Sequence, residues 1–397
     1  MIKKLTADLV YPVNGPALKD AVIVLDENGT ILNIDTMQNH DIQTVEKLRG
    51  FIIPGLINTH CHLELSHMKA KVETGTGLIP FIQSVVSFRD IAQDIIDEAI
   101  TAADAEMYQN GIVAVGDISN RIDTALIKQK SRLHYYTFVE AFDFLNDAEA
   151  KATFDNYKTV FDHHGGEDQL HKSMVPHAPY SVSPTLFGML NTINAGTQKT
   201  VSIHNQETVH ENQFFINKTG EMLDFYKGFD LPLDDFKPNG EPSIYYALEH
   251  MDPNHRTLFV HNTEMSSVDI AAAKQWSPHI YFATCPNANL YIENRLPVYK
   301  DFIDAQVKMT IGTDSLTSNW QLSVLEEMKT IHKFQSAVDF ETLLTWATKN
   351  GAESLGFDDR LGTIEEGKTP GLNLIFHDNI DHKFDLSKAN IKALTFQ

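Results

Sequence analysis

Eight short β-rich runs between residues 55 and 314, separated by segments with helical punctuation, constrain this chain more than any other feature. They are Gly55–His60 (GLINTH), Ile112–Asp117 (IVAVGD), His134–Phe142 (HYYTFVEAF), Lys172–His177 (KSMVPH), Thr200–Asn205 (TVSIHN), Thr257–Asn262 (TLFVHN), His279–Thr284 (HIYFAT) and Lys308–Asp314 (KMTIGTD). Alternating strands and helices imply parallel strands covered by helices. Eight such units in roughly 250 residues predict an α/β fold of the (β/α)8 barrel type, and residues 55–355 supply the length. Ser183 followed by Pro184 reads as a helix start, with Gly196 closing the same segment. The two chain ends have another texture. AVIVLDENGTILNI holds two β-rich runs around an Asn28-Gly29 turn, and LGTIEEGKTPGLNLIF returns to turns and short strands. Residues 1–54 with 356–397 are therefore expected to form one small composite β domain, a β-sandwich, beside the barrel.

Composition narrows the function classes. Hydrophobic residues make up 42% and charged residues 21% of the 397, which excludes a disordered chain. With 32 Lys plus Arg against 53 Asp plus Glu, the net charge of −21 repels nucleic acid on average. Cys61 and Cys285 alone cannot frame a disulfide-held fold, which favours a reducing compartment and hence the cytoplasm. MIKKLTADLV lacks the apolar run of a secretory signal, and FIIPGLI is far shorter than the roughly 20 residues that span a bilayer. Neither nucleic acid nor a membrane is an expected partner, and a homodimer is left open.

Chemistry-bearing residues cluster where the runs end. In HCHLE, side chains alternate along the extended chain, so His60 and His62 project to one side and Cys61 to the other. Two histidines two apart also arise by chance among 18, but later runs end in the same way: His177, His204, His261 and Asp314. In a barrel these ends converge on one face, where an active site sits. His60, His62, His204 and Asp314 would suit zinc, and iron or another divalent ion also fits. After His204, Glu207 and Glu211 would share a face if a helix starts soon after it. Glu207 is the candidate proton carrier, with the alternative of a first-turn acid complementing the helix dipole. Glu211 reads as a solvated or supporting carboxylate.

The set PGLINTHCHLE, PHAPYSVS, SIHNQET, FVHNTE, CPNANLYI, GTDSLTSN and LGTIEEGKTPGLNLI resembles the amidohydrolase superfamily, in its cytosine-deaminase-like and triazine-hydrolase-like branch, over nearly the whole chain. The resemblance implies a mononuclear centre: His60 and His62 from the first strand, His204 from the fifth and Asp314 from the eighth as ligands. It also implies Glu207 as proton shuttle, His261 in contact with the activated water or the forming tetrahedral centre, and His177 facing the substrate. The fourth run carries no terminal lysine that would bridge two metals, so one ion is expected.

Such a site activates water for attack on an amino-bearing ring carbon, with Asp314 orienting the water, Glu207 delivering a proton to the ring nitrogen and ammonia leaving. A carbon bearing chloride, or a cyclic amide carbonyl, calls for the same machinery, so the ligands alone do not choose the leaving group. A metal-binding barrel without activity is the third reading, opposed by the complete set of six residues. HLELS is similar to aminofutalosine deaminases, which implies an adenine-type nucleoside substrate, with Glu64 accepting hydrogen bonds from base or sugar or serving as an ordinary loop carboxylate. Gly75–Gly77 (GTG) is too short to define a phosphate cradle. Gln206, next to the proposed shuttle, is expected to narrow the pocket.

Overall fold

The computed structural model describes residues 2–164, 171–196, 198–377 and 384–395. The eight runs become strands β1 (Leu56–Cys61), β2 (Ile112–Ser119), β3 (His134–Ala141), β4 (Lys172–Pro176), β5 (Thr200–Asn205), β6 (Arg256–His261), β7 (Ile280–Thr284) and β8 (Lys308–Ile311). All pair in parallel, β4-β3-β2-β1 in one sheet and β5-β6-β7-β8 in the other. The strands are buried almost throughout, as expected of a parallel sheet covered on both faces.

The two sheets meet at both edges. The His204 N–H donates to the His177 carbonyl at 2.9 Å, joining β5 to the end of β4. On the other side Cys61 bridges Asp314, and the Thr313 and Asp314 N–H groups both donate to the His60 carbonyl at 3.0 Å. Gly312 makes that approach possible: a Cβ there would lie 2.7 Å from His60 Cβ and 2.9 Å from its carbonyl oxygen. The eighth strand is shorter than expected, ending at Ile311 and leaving Asp314 in an isolated bridge at φ 57°.

The covering helices follow local chemistry. Ser183 accepts a hydrogen bond from the Leu186 N–H, Pro184 occupies the first turn, and Gly196 follows the helix Pro184–Asn194 at φ 74°. In the helix Val324–Phe334, Ser323 caps the start, Glu326 and Glu327 lie in the first turn and His332 and Lys333 in the last, complementing the helix dipole. Its Val324, Leu325, Met328 and Ile331 recur at helical spacing and are buried.

The chain ends build two further four-stranded sheets. One joins Lys3–Thr6, Ala21–Leu25, Ile31–Thr36 and Glu46–Lys47; the other joins Leu9–Val10, Phe51–Pro54, Leu372–Phe376 and Asn390–Leu394. Leu372–Phe376 pairs antiparallel with Phe51–Pro54, so strands from both termini share a sheet. Leu5, Val10, Ile23, Leu25, Ile52 and Leu372 form one buried apolar cluster. Parts of the expected terminal unit, residues 378–383 and 396–397, lie outside the described residues. Among the described residues no helix is long and apolar enough to cross a membrane.

Candidate active site

β1 brings its two histidines to the mouth of the sheets. His60 and His62 point their Nε2 atoms at each other across 3.1 Å, while Cys61 turns into the core. His204, at the end of β5, places Nε2 at 3.3 Å from His62 Nε2. Asp314 Oδ1 lies 3.5 Å from His60 Nε2 and 3.3 Å from His62 Nε2. Four donor atoms on a tetrahedron with bonds of about 2.0–2.1 Å would stand roughly 3.3–3.4 Å apart, and the separations among His60, His62 and Asp314, with that of His204 from His62, suit a shared divalent cation. Nitrogen and carboxylate donors are also the set zinc accepts.

Electrostatics support the same fit. Burial pushes His60 and His62 down to about 4, leaving neutral rings with free lone pairs. Burial opposes ionisation of Asp314, but the bond from His60 and the nearby His62 and His261 hold its carboxyl far below the usual range. Burial also lowers His204, yet Glu140, Glu207 and Asp314 outweigh it and raise it to about 9. This centre attracts positive charge. Ser318 donates to Asp314 Oδ2, fixing the carboxylate that faces His60 and His62.

The remaining residues surround this cluster. His261 stacks on His204, with ring centroids 5.5 Å apart, and lies within reach of a group formed with His60 and His204. Its Nδ1 meets Asn289 Oδ1 at 2.8 Å and its Nε2 faces Glu207 Oε1 at 3.7 Å. Burial raises Glu207 to about 8, so the carboxyl holds a proton at neutral pH. His177 Nδ1 contacts Ser181 Oγ at 2.7 Å, and its ring lines a cavity of 360 Å³ shared with His62, His204, Glu207, His261 and Asp314. Much of the remaining lining is apolar, with Leu65, Phe81, Val85, Phe142, Phe144 and Phe225 beside the polar Arg89, Asn120, Glu140, Ser181 and Ser315.

Three side chains sit differently from expectation. Glu207 and Glu211 share no helical face, because the helix begins at Val209 behind an N-cap at Thr208 and leaves Glu207 in the preceding loop. Of its two readings Glu211 takes the supporting one: it is fully buried and accepts from the N–H groups of Gln206 at 3.1 Å and Glu207 at 3.0 Å. Gln206 does not narrow the cavity: its amide turns away to Asn212 and Asp269. Glu64 also departs. The segment Leu63–Met68 winds into a 3-10 helix, and the carboxylate accepts from Arg89 at 3.0 Å and from the N–H groups of Asn120 and Arg121 at 2.9 and 3.0 Å. It holds the cavity wall together and is absent from the lining.

Gln206, His261 and Asp314 carry φ values of 45°, 70° and 57°, a region that costs L-residues roughly 1–2 kcal/mol each. Such strain persists where surrounding contacts impose it, often at functional sites. Sequence reasoning passed over Glu140, which sits beside His204, Asn289, which orients His261, and Glu327, which accepts from Asn287 and Asn319 near Asp314. Asn289 and Asn319 lie within CPNANLYI and GTDSLTSN, so those motifs carried the signal; FVEAF offered only one acid in an apolar run.

A sequence model of the amidohydrolase family matches residues 51–396. The adenosine deaminase of Helicobacter pylori is 26% identical over 402 residues, covering 98% of this chain and 94% of that protein. The aminodeoxyfutalosine deaminase of a Nitratiruptor species is 28% identical over 370 residues, covering 90% and 87%. The crystal structure of Helicobacter pylori aminofutalosine deaminase in complex with methylthio-coformycin shares the fold, with a TM-score of 0.81, 24% identity and coverage of 97% and 94%.

Proposed function

Because this chain belongs to the amidohydrolase family, we propose that it is a metal-dependent hydrolytic deaminase releasing ammonia from an adenine-type nucleoside such as aminofutalosine. The carrying observation is that His60, His62 and Asp314 bring donor atoms within 3.1–3.5 Å of one another, with His204 Nε2 3.3 Å from His62 Nε2 and a buried Glu207 lining the same substrate-sized cavity. The names of the two sequence relatives support the nucleoside class. In this reading the two parallel sheets close into a (β/α)8 barrel over residues 55–355. Residues 1–54 and 356–397 form a β-sandwich beside it. Two free, buried cysteines suit a reducing compartment such as the cytoplasm.

His60, His62, His204 and Asp314 would hold one zinc ion, which when bound makes water acidic enough to serve as a nucleophile near neutral pH. Asp314, anchored by Ser318, orients the attacking water and accepts a proton. Glu207 delivers its proton to the ring nitrogen beside the amino-bearing carbon, and a second proton transfer lets ammonia leave. His261, held by Asn289 through Nδ1, places its Nε2 beside the attacking water and the forming tetrahedral centre. His177 presents its ring edge to the bound heterocycle. The apolar part of the lining accommodates an uncharged extension of the nucleoside and excludes water.

A panel of adenine nucleosides, cytosine, guanine and triazines, assayed for ammonia and chloride, tests this. Ammonia from the adenine nucleosides is expected; chloride from halogenated triazines without ammonia would place the enzyme among chlorohydrolases instead.

A further inference from the structure

Glu140 stands at the end of β3 with its side chain buried in the cavity wall. Its Oε1 lies 3.1 Å from His204 Nδ1, at ion-pair distance but without hydrogen-bond alignment, and no donor among the described residues makes an aligned hydrogen bond to that oxygen. Asn120 secures the rest of the group, its Nδ2 donating to Oε2 at 3.2 Å and to the Glu140 carbonyl at 2.9 Å. His204 Nδ1 also faces the His177 carbonyl at 2.9 Å. Both neighbours of Nδ1 are acceptors, so Nδ1 carries a hydrogen in either charge state, and the neutral ring that a cation requires has its lone pair on Nε2. Nε2 stands 3.3 Å from His62 Nε2, and His204 groups with His60 and His261 as a candidate ligand set.

We propose that Glu140 is a positioning residue of the metal centre: it holds His204 in the tautomer and ring orientation that present Nε2 to the cation. This rests on the metal-dependent reading above. A carboxylate behind a ligating imidazole fixes the ring and raises its basicity, and loss of such a partner typically weakens metal binding about 10–100-fold. Glutamine cannot replace it, because Asn120 requires an acceptor at one terminal atom and Nδ1–H at the other, whereas an amide has a single acceptor.

The test compares wild-type enzyme with Glu140→Gln, both stripped of metal and titrated with zinc against a chromogenic chelator. Zinc affinity about 10–100-fold weaker in the variant is expected, with KM for adenosine near the wild-type value once zinc is saturating. Unchanged zinc affinity together with a raised KM would overturn the proposal and assign Glu140 to substrate contact. Should Glu140→Gln fail to fold, judged by the melting of the metal-free forms, Asn120→Ala replaces it: weaker zinc binding supports the proposal and unchanged binding overturns it. A wild-type protein that takes up no zinc would overturn the metal reading itself, a separate result from equal uptake by both forms.

Discussion

Individual side chains divide into those whose role follows from type and position and those whose partners arrive from far away. His60 and His62 are legible because a strand's two-residue period puts both on one face, and His204, His261 and Asp314 because they end runs of the same kind. Glu140 was illegible: its partner His204 is remote in sequence, and nothing in FVEAF marks the meeting. Glu64 misled for the same reason, since Arg89 and the Asn120–Arg121 backbone engage its oxygens only in the fold. Glu207→Gln, which keeps shape but removes the transferable proton, should retain zinc while kcat falls about 10²–10⁴-fold, the range for a general acid–base group; elemental analysis and an ammonia assay read the two effects. Glu211→Ala should act differently. It removes two carboxylate bonds to the Gln206 and Glu207 backbone, each worth about 1.5–3 kcal/mol, so both chemical-denaturation stability and kcat should fall, and unchanged stability would contradict the supporting role.

Helices and strands were legible wherever local chemistry determines them. Ser183-Pro184 starts a helix and all eight β-rich runs coincide with strands to within a few residues, because periodicity and capping are properties of contiguous sequence. The helix after His204 begins at Val209: Thr208 is the cap, and its side chain accepts from the His210 N–H. Two loop residues there separate β5 from its helix's N-cap and let Glu207 reach the cavity. The close approach of β8 to β1 depends on Gly312, where an added methyl collides with His60. Gly312→Ala should therefore cost about 1–3 kcal/mol by overpacking and reduce zinc content by displacing His60. A crystal structure with His60 unmoved and full zinc occupancy would refute that link.

Across the whole molecule, the alternation of strands and helices implied parallel sheets, whereas the pairing of Phe51–Pro54 with Leu372–Phe376 joins segments some 320 residues apart and leaves only a similarity of texture to read. Zinc should couple chemistry to stability, since an ion bound only by the folded state adds about 2.7 kcal/mol at one hundred times its Kd. Stripping it with a chelator is expected to abolish ammonia release and lower Tm together, with zinc restoring both. The central claim is that one cation binds where four distant segments meet. Anomalous diffraction at the zinc edge from crystals of the zinc-loaded protein tests it most directly: a single peak about 2.0–2.2 Å from His60 Nε2, His62 Nε2, His204 Nε2 and an Asp314 carboxylate oxygen is predicted, and no peak there, or one elsewhere, would contradict the account.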